Sequence, residues 1–240
     1  MSNSELPVLY VRPRPVLADR DKNLSLVASN DFSFAAKTNS VPVIATEFTL
    51  VCKFFPILFA DAAFPQPVAL LGLRDEENLF VGADKQWEQD IYVPSYVRRY
   101  PFIFLEDKER GEFVLCVDEA SPALVEDDSN LLFKDGKPTE LADRALEFCR
   151  QFQAHHAATA EFVQALVDND LLVENRADIT LLNGDKLSLN GFKVIDEARF
   201  NALPAEEFLR WRERGWLHLV YCHFISVSNW AGLIDRVAKR

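Results

Sequence analysis

Glycine is scarce in this chain, eight of 240 residues, and the eight are too scattered to build a phosphate-cradling loop. Neither G-x-G-x-x-G nor a P-loop occurs, and G-x-S-x-G and H-E-x-x-H are missing as well. The common nucleotide, hydrolase and zinc-protease fingerprints are thereby excluded, and no cofactor is expected. Basic residues are few, 26 against 37 acidic, for a net charge of −11. Nucleic-acid binders carry a basic footprint to meet phosphate, so a nucleic-acid partner is not expected. Long apolar runs are missing too: Val68–Leu73 and Leu217–Ile225 are the longest windows, read as strands, and a bilayer span needs about 20 residues. The opening Met1-Ser2-Asn3-Ser4-Glu5-Leu6-Pro7 shows no charged region leading into an apolar one. The expectation is a cytoplasmic protein without a membrane span.

Cysteine and histidine are equally sparing. Cys52, Cys116, Cys149 and Cys222 form no C-x-x-C pair and sit among apolar neighbours, as reduced core thiols do. His155 and His156 would point about 100° apart on a helix, and His218 and His223 would face opposite sides of a strand. Neither pair can chelate an ion together, so no metal is expected. His223, between Cys222 and Phe224, reads as a hydrogen-bonded core histidine, with a catalytic role as the alternative.

What the chain has instead is aromatic bulk: nineteen phenylalanines against one methionine, within 49% hydrophobic content. Rigid rings rather than adaptable thioethers are set to fill the core. Residues 1–40 are polar and marked by Pro7, Pro13 and Pro15, and read as a segment wrapping a single body of residues 41–240, with a sub-boundary near 120–140. Val43-Ile44-Ala45, Pro56–Ala60, Val68–Leu73 and Leu79-Phe80-Val81 read as strands, and Phe48, Val51, Cys52 and Phe55 lie at helical spacing.

Two hairpins follow, Phe102–Leu105 with Phe113–Ala120, and Ile179–Leu182 with Leu187–Ala198. The second turns at Asn183-Gly184-Asp185. Both end in Asp-Glu-Ala, a short match that an internal duplication of a hairpin-plus-helix unit would produce. The helical region from Thr139 is expected to break near His155–Thr159. A further helix starts at Pro204 and closes at Gly215, Trp216–Phe224 is expected as a strand, and Ser228-Asn229 would cap a last helix. The fold class is α+β, with a mixed or antiparallel sheet carrying helices.

One segment concentrates chemistry: Tyr92-Val93-Pro94-Ser95-Tyr96-Val97-Arg98-Arg99-Tyr100-Pro101-Phe102 holds three of the five tyrosines, two prolines and an arginine pair. Prolines fix the backbone, so the aromatic and guanidinium groups are held in one geometry. Helical or extended, Tyr96 and Tyr100 come out as neighbours while Arg98 and Arg99 diverge. One arginine can then reach a carboxylate, phosphate or ring while the other clamps an acid such as Glu47 or Glu119. Arg74 and Trp87 are candidates to complete the surface. Asp118-Glu119 and Asp196-Glu197 stand at strand ends, where acids serve either catalysis or capping.

These residues also carry a resemblance. Val41-Pro42-Val43-Ile44-Ala45-Thr46-Glu47-Phe48, Val68–Arg74, the tyrosine–arginine segment, Leu115–Glu119, Leu131–Gly136, Leu189–Phe192 with Ile195–Glu197, and Leu219–Ser226 are similar to the SapC family, named for a bacterial surface-layer-associated protein. The resemblance implies a link to surface-layer assembly. It also implies gene neighbours such as tryptophan-halogenase-like flavoproteins, one of which would be a protein partner, and it brings no catalytic residues with it. The expected function is a non-catalytic accessory protein presenting Arg74, Trp87, Tyr92, Tyr96, Arg98, Arg99, Tyr100, Asp118, Glu119 and His223 to a protein, peptide or small acidic ligand. The alternative is a transferase-like enzyme working through Asp118, Glu119 or His223. Oligomeric state is left open.

Overall fold

Prolines and short branched runs divide the first half into brief strands, and the two earliest find their partners about a hundred residues away in sequence. The structure, a computed structural model, describes residues 6–107, 111–180, 184 and 186–239. The leading segment supplies β1 (Pro13–Pro15), β2 (Leu24–Leu26) and β3 (Ser40–Pro42). A 3-10 turn at Ala45–Glu47 leads into α1 (Phe48–Val51), followed by β4 (Ile57–Ala60) and β5 (Pro67–Leu70). Leu79-Phe80-Val81, expected as a strand, is not one: Val81 forms an isolated bridge to Trp87.

The tyrosine–arginine segment folds as α2 (Ser95–Arg98), and the first hairpin follows as β6 (Phe102–Asp107) and β7 (Glu112–Asp118). β7 pairs with β6 on one side and with β1 on the other, so the N-terminal segment completes a three-stranded antiparallel sheet. β8 (Leu124–Glu126) pairs with β2, and β9 (Phe133–Lys134) pairs with β10 (Lys137–Pro138).

α3 (Glu140–Asp168) is one unbroken helix, contrary to the break expected near His155–Thr159. Thr159 does not cap a second helix. Its hydroxyl donates back to the His155 carbonyl at 2.7 Å and accepts the Ala45 N–H at 2.8 Å, fastening the helix to the turn before α1. The buried face runs Cys149, Phe152, Thr159, Phe162, Val163, Leu166, the helical period expected of it.

The second hairpin is β11 (Leu172–Thr180) with β12 (Lys186–Ile195), longer than expected and bulged between Asn175 and Ala177. Asn183 and Asp185 of its expected turn lie outside the described residues. β12 continues the main sheet, in the antiparallel order β11-β12-β4-β5-β3. The two hairpins therefore belong to different sheets. Asp196 accepts the Arg199 N–H at 2.9 Å and starts α4 (Glu197–Asn201).

Helix α5 (Ala205–Glu213) has Pro204 at its cap, and Gly215 follows with φ +71. Beyond it lies α6 (Leu217–Ser226), where a strand was expected. Its buried residues, Leu219, Val220, Cys222, His223 and Ser226, recur at 3.6 spacing, and the same apolar run would suit either period. α7 (Trp230–Ala238) follows a 3-10 turn, with Asn229 at the cap position and its amide donating to Cys52 O at 2.8 Å. Together Leu217–Ala238 form a helical stretch of 22 residues with mean hydropathy 1.2, apolar and long enough to cross a membrane by length and composition, which the sequence windows had not suggested. The inner face of α6 is nevertheless bonded to the main sheet. His223 Nδ1 lies 2.8 Å from Ile57 O, and its Nε2 accepts the Ile195 N–H at 3.1 Å. The larger core cluster is dominated by rings, among them Phe48, Phe55, Phe59, Phe80, Phe162, Phe200 and Trp211, and a smaller second cluster gathers Phe102, Val117, Leu132, Ala142 and Cys149. All four cysteines are buried and free.

Candidate functional site

Pro94 sets φ −55 and ψ 146 at the start of α2, which leaves the first amides of that turn needing an acceptor. Glu47 provides it. Its side chain is only 3% exposed, and Oε2 accepts from the Ser95 N–H (2.9 Å), the Ser95 hydroxyl (2.8 Å) and the Tyr92 hydroxyl (2.9 Å). Oε1 reaches back to the Ile44 N–H at 3.1 Å. Among the described residues no guanidinium pairs with this carboxylate, which corrects the expectation that an arginine clamps it.

Arg98 is fixed by the groups that Glu47 fixes. Its Nε donates to Val93 O (3.0 Å), and Nη2 donates to the Tyr92 hydroxyl (3.1 Å) and the Ser95 hydroxyl (2.9 Å). The guanidinium also lies 5.5 Å from the Tyr92 ring centroid and 5.7 Å from that of Phe148. The side chain is exposed, yet it is held in one orientation.

Arg99 turns the other way, into rings. Its guanidinium carbon lies 4.0 Å from the Tyr96 centroid, 4.4 Å from Phe152 and 5.7 Å from Tyr10. It pairs with no acid among the described residues, and its buried Nε has no hydrogen-bond partner. Glu119, the other expected partner, bonds Arg14 instead. Tyr96 and Tyr100 are bridged by Tyr10, which meets the first edge-on at 6.4 Å and the second at 5.5 Å. Tyr10 donates to Phe102 O at 2.7 Å, and Tyr96 donates to Val8 O at 3.0 Å. Burial raises the pKa of Tyr10, Tyr92 and Tyr96, and burial together with Arg99 lowers that of His156.

A cleft of about 490 Å³ opens beside Arg98. One wall is a row of rings: Phe32 and Phe34 at 5.9 Å, then Phe34 stacked on Tyr100 at 3.9 Å and 11°. Val97 and Pro101 belong to the same wall, and Ser121, Pro122 and Ala123 face it from the loop after β7. Burial, reinforced by the Asp118 carboxylate, pushes the Tyr100 hydroxyl up to about 12, so it stays protonated and faces Asp118 Oδ2 at 3.4 Å.

The structure thus joins Tyr92 to Arg98 and places Arg98 and Tyr100 on one cleft, while Tyr96 is buried and Arg99, half-buried, packs on its ring. The Asp118 side chain meets the site at the Tyr100 hydroxyl, and its backbone bonds Pro101 and Ser121 of the lining. It is fully buried and holds the N-terminal segment, accepting the Val11 N–H (2.9 Å), the Arg12 N–H (2.8 Å) and the Ala120 N–H (3.1 Å). Arg74 pairs with Glu77 at 3.1 Å and lines none of this cleft. Trp87 is core, 8% exposed, with its ring 5.8 Å from Phe32 and its Nε1 unpartnered among the described residues. His223 has its polar contacts with Ile57 and Ile195 in the main sheet, apart from the cleft lining. Sequence reasoning missed Tyr10, Phe32, Phe34 and Ser121. The one available signal was the aromatic alternation Phe32-Ser33-Phe34 inside a polar stretch. Among the described residues no group of three or more His, Cys, Asp or Glu could hold a metal.

The family model for SapC matches residues 18–233, which include every wall of the cleft. The chain belongs to the SapC family. Comparison with curated proteins and with solved structures gave no match. Within this SapC-family chain the matched span covers both the Glu47–Arg98 relay and the ring wall, and leaves out Tyr10 and β1.

Proposed function

We propose that this SapC-family protein is an accessory binding protein that acts without chemistry of its own. It holds an apolar segment of a protein, peptide or small acidic ligand in the cleft between Phe34, Tyr100 and Arg98. The observation that carries this reading is Arg98, oriented by three hydrogen bonds at the edge of a ring-lined cleft of about 490 Å³. Small-molecule sites are concave and mostly apolar, with a few placed polar groups. Holding a solvent-exposed arginine in one geometry costs side-chain entropy that a purely structural surface residue has no need to lose.

Binding is favoured over catalysis because the acids and the histidine considered for chemistry are engaged elsewhere. Asp118 is occupied by backbone amides, Glu119 by Arg14, and both His223 ring nitrogens by the main sheet. Ala28 is exposed and lines the cleft, so Ala28→Trp should plug it with a stability change within about 0.5 kcal/mol. Native mass spectrometry of protein purified from its host should show a bound molecule or partner on the wild type and none on A28W. Identical occupancy of both would refute the reading, as would turnover of a candidate substrate that disappears with Asp118→Asn or His223→Gln.

A further inference from the structure

The cleft has two charged lining residues, Arg98 and Asp31, and they are not equivalent. Asp31 is compensated: Oδ1 accepts the Ser33 N–H at 2.8 Å, and Oδ2 lies 3.6 Å from Lys85 Nζ. These neighbours hold its carboxyl below the usual range. Among the described residues Arg98 is bonded only to neutral groups, a carbonyl and two hydroxyls. The nearest acid along that network, Glu47, stands one hydrogen bond further back and already accepts four donors. Nη1 of Arg98 makes no hydrogen bond to a described residue, although Nε and Nη2 are both used. The cleft therefore presents one oriented positive charge, in direct contact with no carboxylate of the described residues and with an open donor edge.

Next to that charge, the Phe32, Phe34 and Tyr100 rings follow one another, Phe34 and Tyr100 face to face at 3.9 Å, so the stack offers a ligand ring its edges. Flat rings meet such edges in edge-to-face geometry, which favours them over branched aliphatic groups. Hydroxyls are present at Ser29 and Ser121, but among the described residues no second cation lines the cleft. A dianionic phosphate, which draws on several cationic donors, is poorly matched to a single guanidinium edge in a chain of net charge −11. A carboxylate is well matched.

Resting on the binding reading above, we infer that the cleft selects a monoanionic aromatic carboxylate, its ring against Phe34 and Tyr100 and its carboxylate on Arg98 Nη1. Arg98 is the one cationic donor among the described lining residues, which sets the limit at one carboxylate.

The experiment uses the full chain, ¹⁵N-labelled, titrated separately with 3-phenylpropionate, 3-phenylpropanol and 3-phenylpropylamine. These probes share a ring and differ in charge. The acid should bind with amide shifts centred on Phe34, Val97 and Tyr100, and the alcohol should be about tenfold weaker, the share of one charge-assisted hydrogen bond. Arg98→Gln should bring the acid down to parity with the alcohol while leaving ring-driven binding in place. Should Arg98→Gln prove poorly folded, the three probes on the wild type decide alone. Equal or tighter binding of the alcohol or the amine overturns the carboxylate inference and leaves the cleft reading standing. Shifts away from the cleft, or no binding by any probe, also overturn the inference, and the comparison with A28W then judges the cleft reading separately.

Discussion

Lowering the pH should loosen this protein through His223 before the exposed carboxylates matter. The imidazole is 1% exposed and bridges two strands of the main sheet. Since Nε2 accepts the Ile195 N–H, the neutral ring carries its proton on Nδ1 and donates it to Ile57 O. A second proton would have to sit on Nε2, facing another donor inside the core. Burial, only partly offset by the Ile57 carbonyl, accordingly lowers the pKa from 6.5 to about 4. The unfolded chain binds that proton more readily than the folded one between those two values. Stability is thus unaffected by this group above pH 6.5, falls as the pH drops from 6.5 toward 4, and levels off below. The gap corresponds to roughly 3 kcal/mol at 1.36 kcal/mol per decade, a large share of the 5–15 kcal/mol typical of a domain.

Urea melts at pH 7.5, 6.0, 5.0 and 4.5 on the wild type and on His223→Leu would isolate the effect. Leucine leaves the Ile195 N–H and the Ile57 carbonyl without their partner, so the variant should be less stable at pH 7.5 by about 2–4 kcal/mol. The gap between the two proteins should shrink as the pH falls, because only the wild type has a proton to take up there. A constant gap from pH 7.5 to 4.5, or a His223 ring resonance titrating near 6.5, would refute the reasoning.

Glu47→Ala strips the acceptor from Ile44, Tyr92 and Ser95 together, and should cost about 4 kcal/mol in chemical denaturation, since each buried donor left unpaired costs about 1–3 kcal/mol. Arg99→Ala should cost about 2 kcal/mol, the scale of a desolvated cation–π contact, rather than the about 3–5 kcal/mol of a severed buried ion pair. Thermal melts of Arg99→Ala beside Arg98→Ala, which should shift little, distinguish the two arginines, and equal large losses would make the whole segment scaffold. Thr159→Val keeps the side-chain shape but removes the acceptor of the Ala45 N–H, for a loss of about 1–2 kcal/mol with helix content by circular dichroism unchanged. A drop in helix content would mean that Thr159 terminates a helix after all.

How far the sequence reaches is clear from particular residues. Hairpins between Phe102 and Asp118 and around residues 172–195 were legible because alternation and turn chemistry act within a few residues. Pro204 and Gly215 placed local boundaries for the same reason, since each restricts or frees its own backbone. The divergence of Arg98 from Arg99 also followed from adjacency alone. Segment 217–226 was misread because a run rich in apolar residues satisfies both periods, and the choice is made by what it packs against, here the sheet reached by His223. Thr159 looked like a helix start because threonine caps helices; only a distant amide, that of Ala45, turns it into a mid-helix anchor.

The partners of the charged groups were invisible for a related reason. A sequence shows that Glu47 and Arg99 exist, whereas Coulomb attraction depends on separations of a few ångströms that chain order does not encode. The fold gave Glu47 to hydroxyls and amides and Arg99 to rings. It also brought Phe32 and Phe34 across some sixty residues of chain to wall the cleft with Tyr100. By itself the sequence determined the α+β class, the local turns and the segment where chemistry gathers, since these rest on periodicity and backbone restriction. Only the tertiary structure decided which of its two arginines faces a cleft, because burial and long-range packing assign each side chain its surroundings.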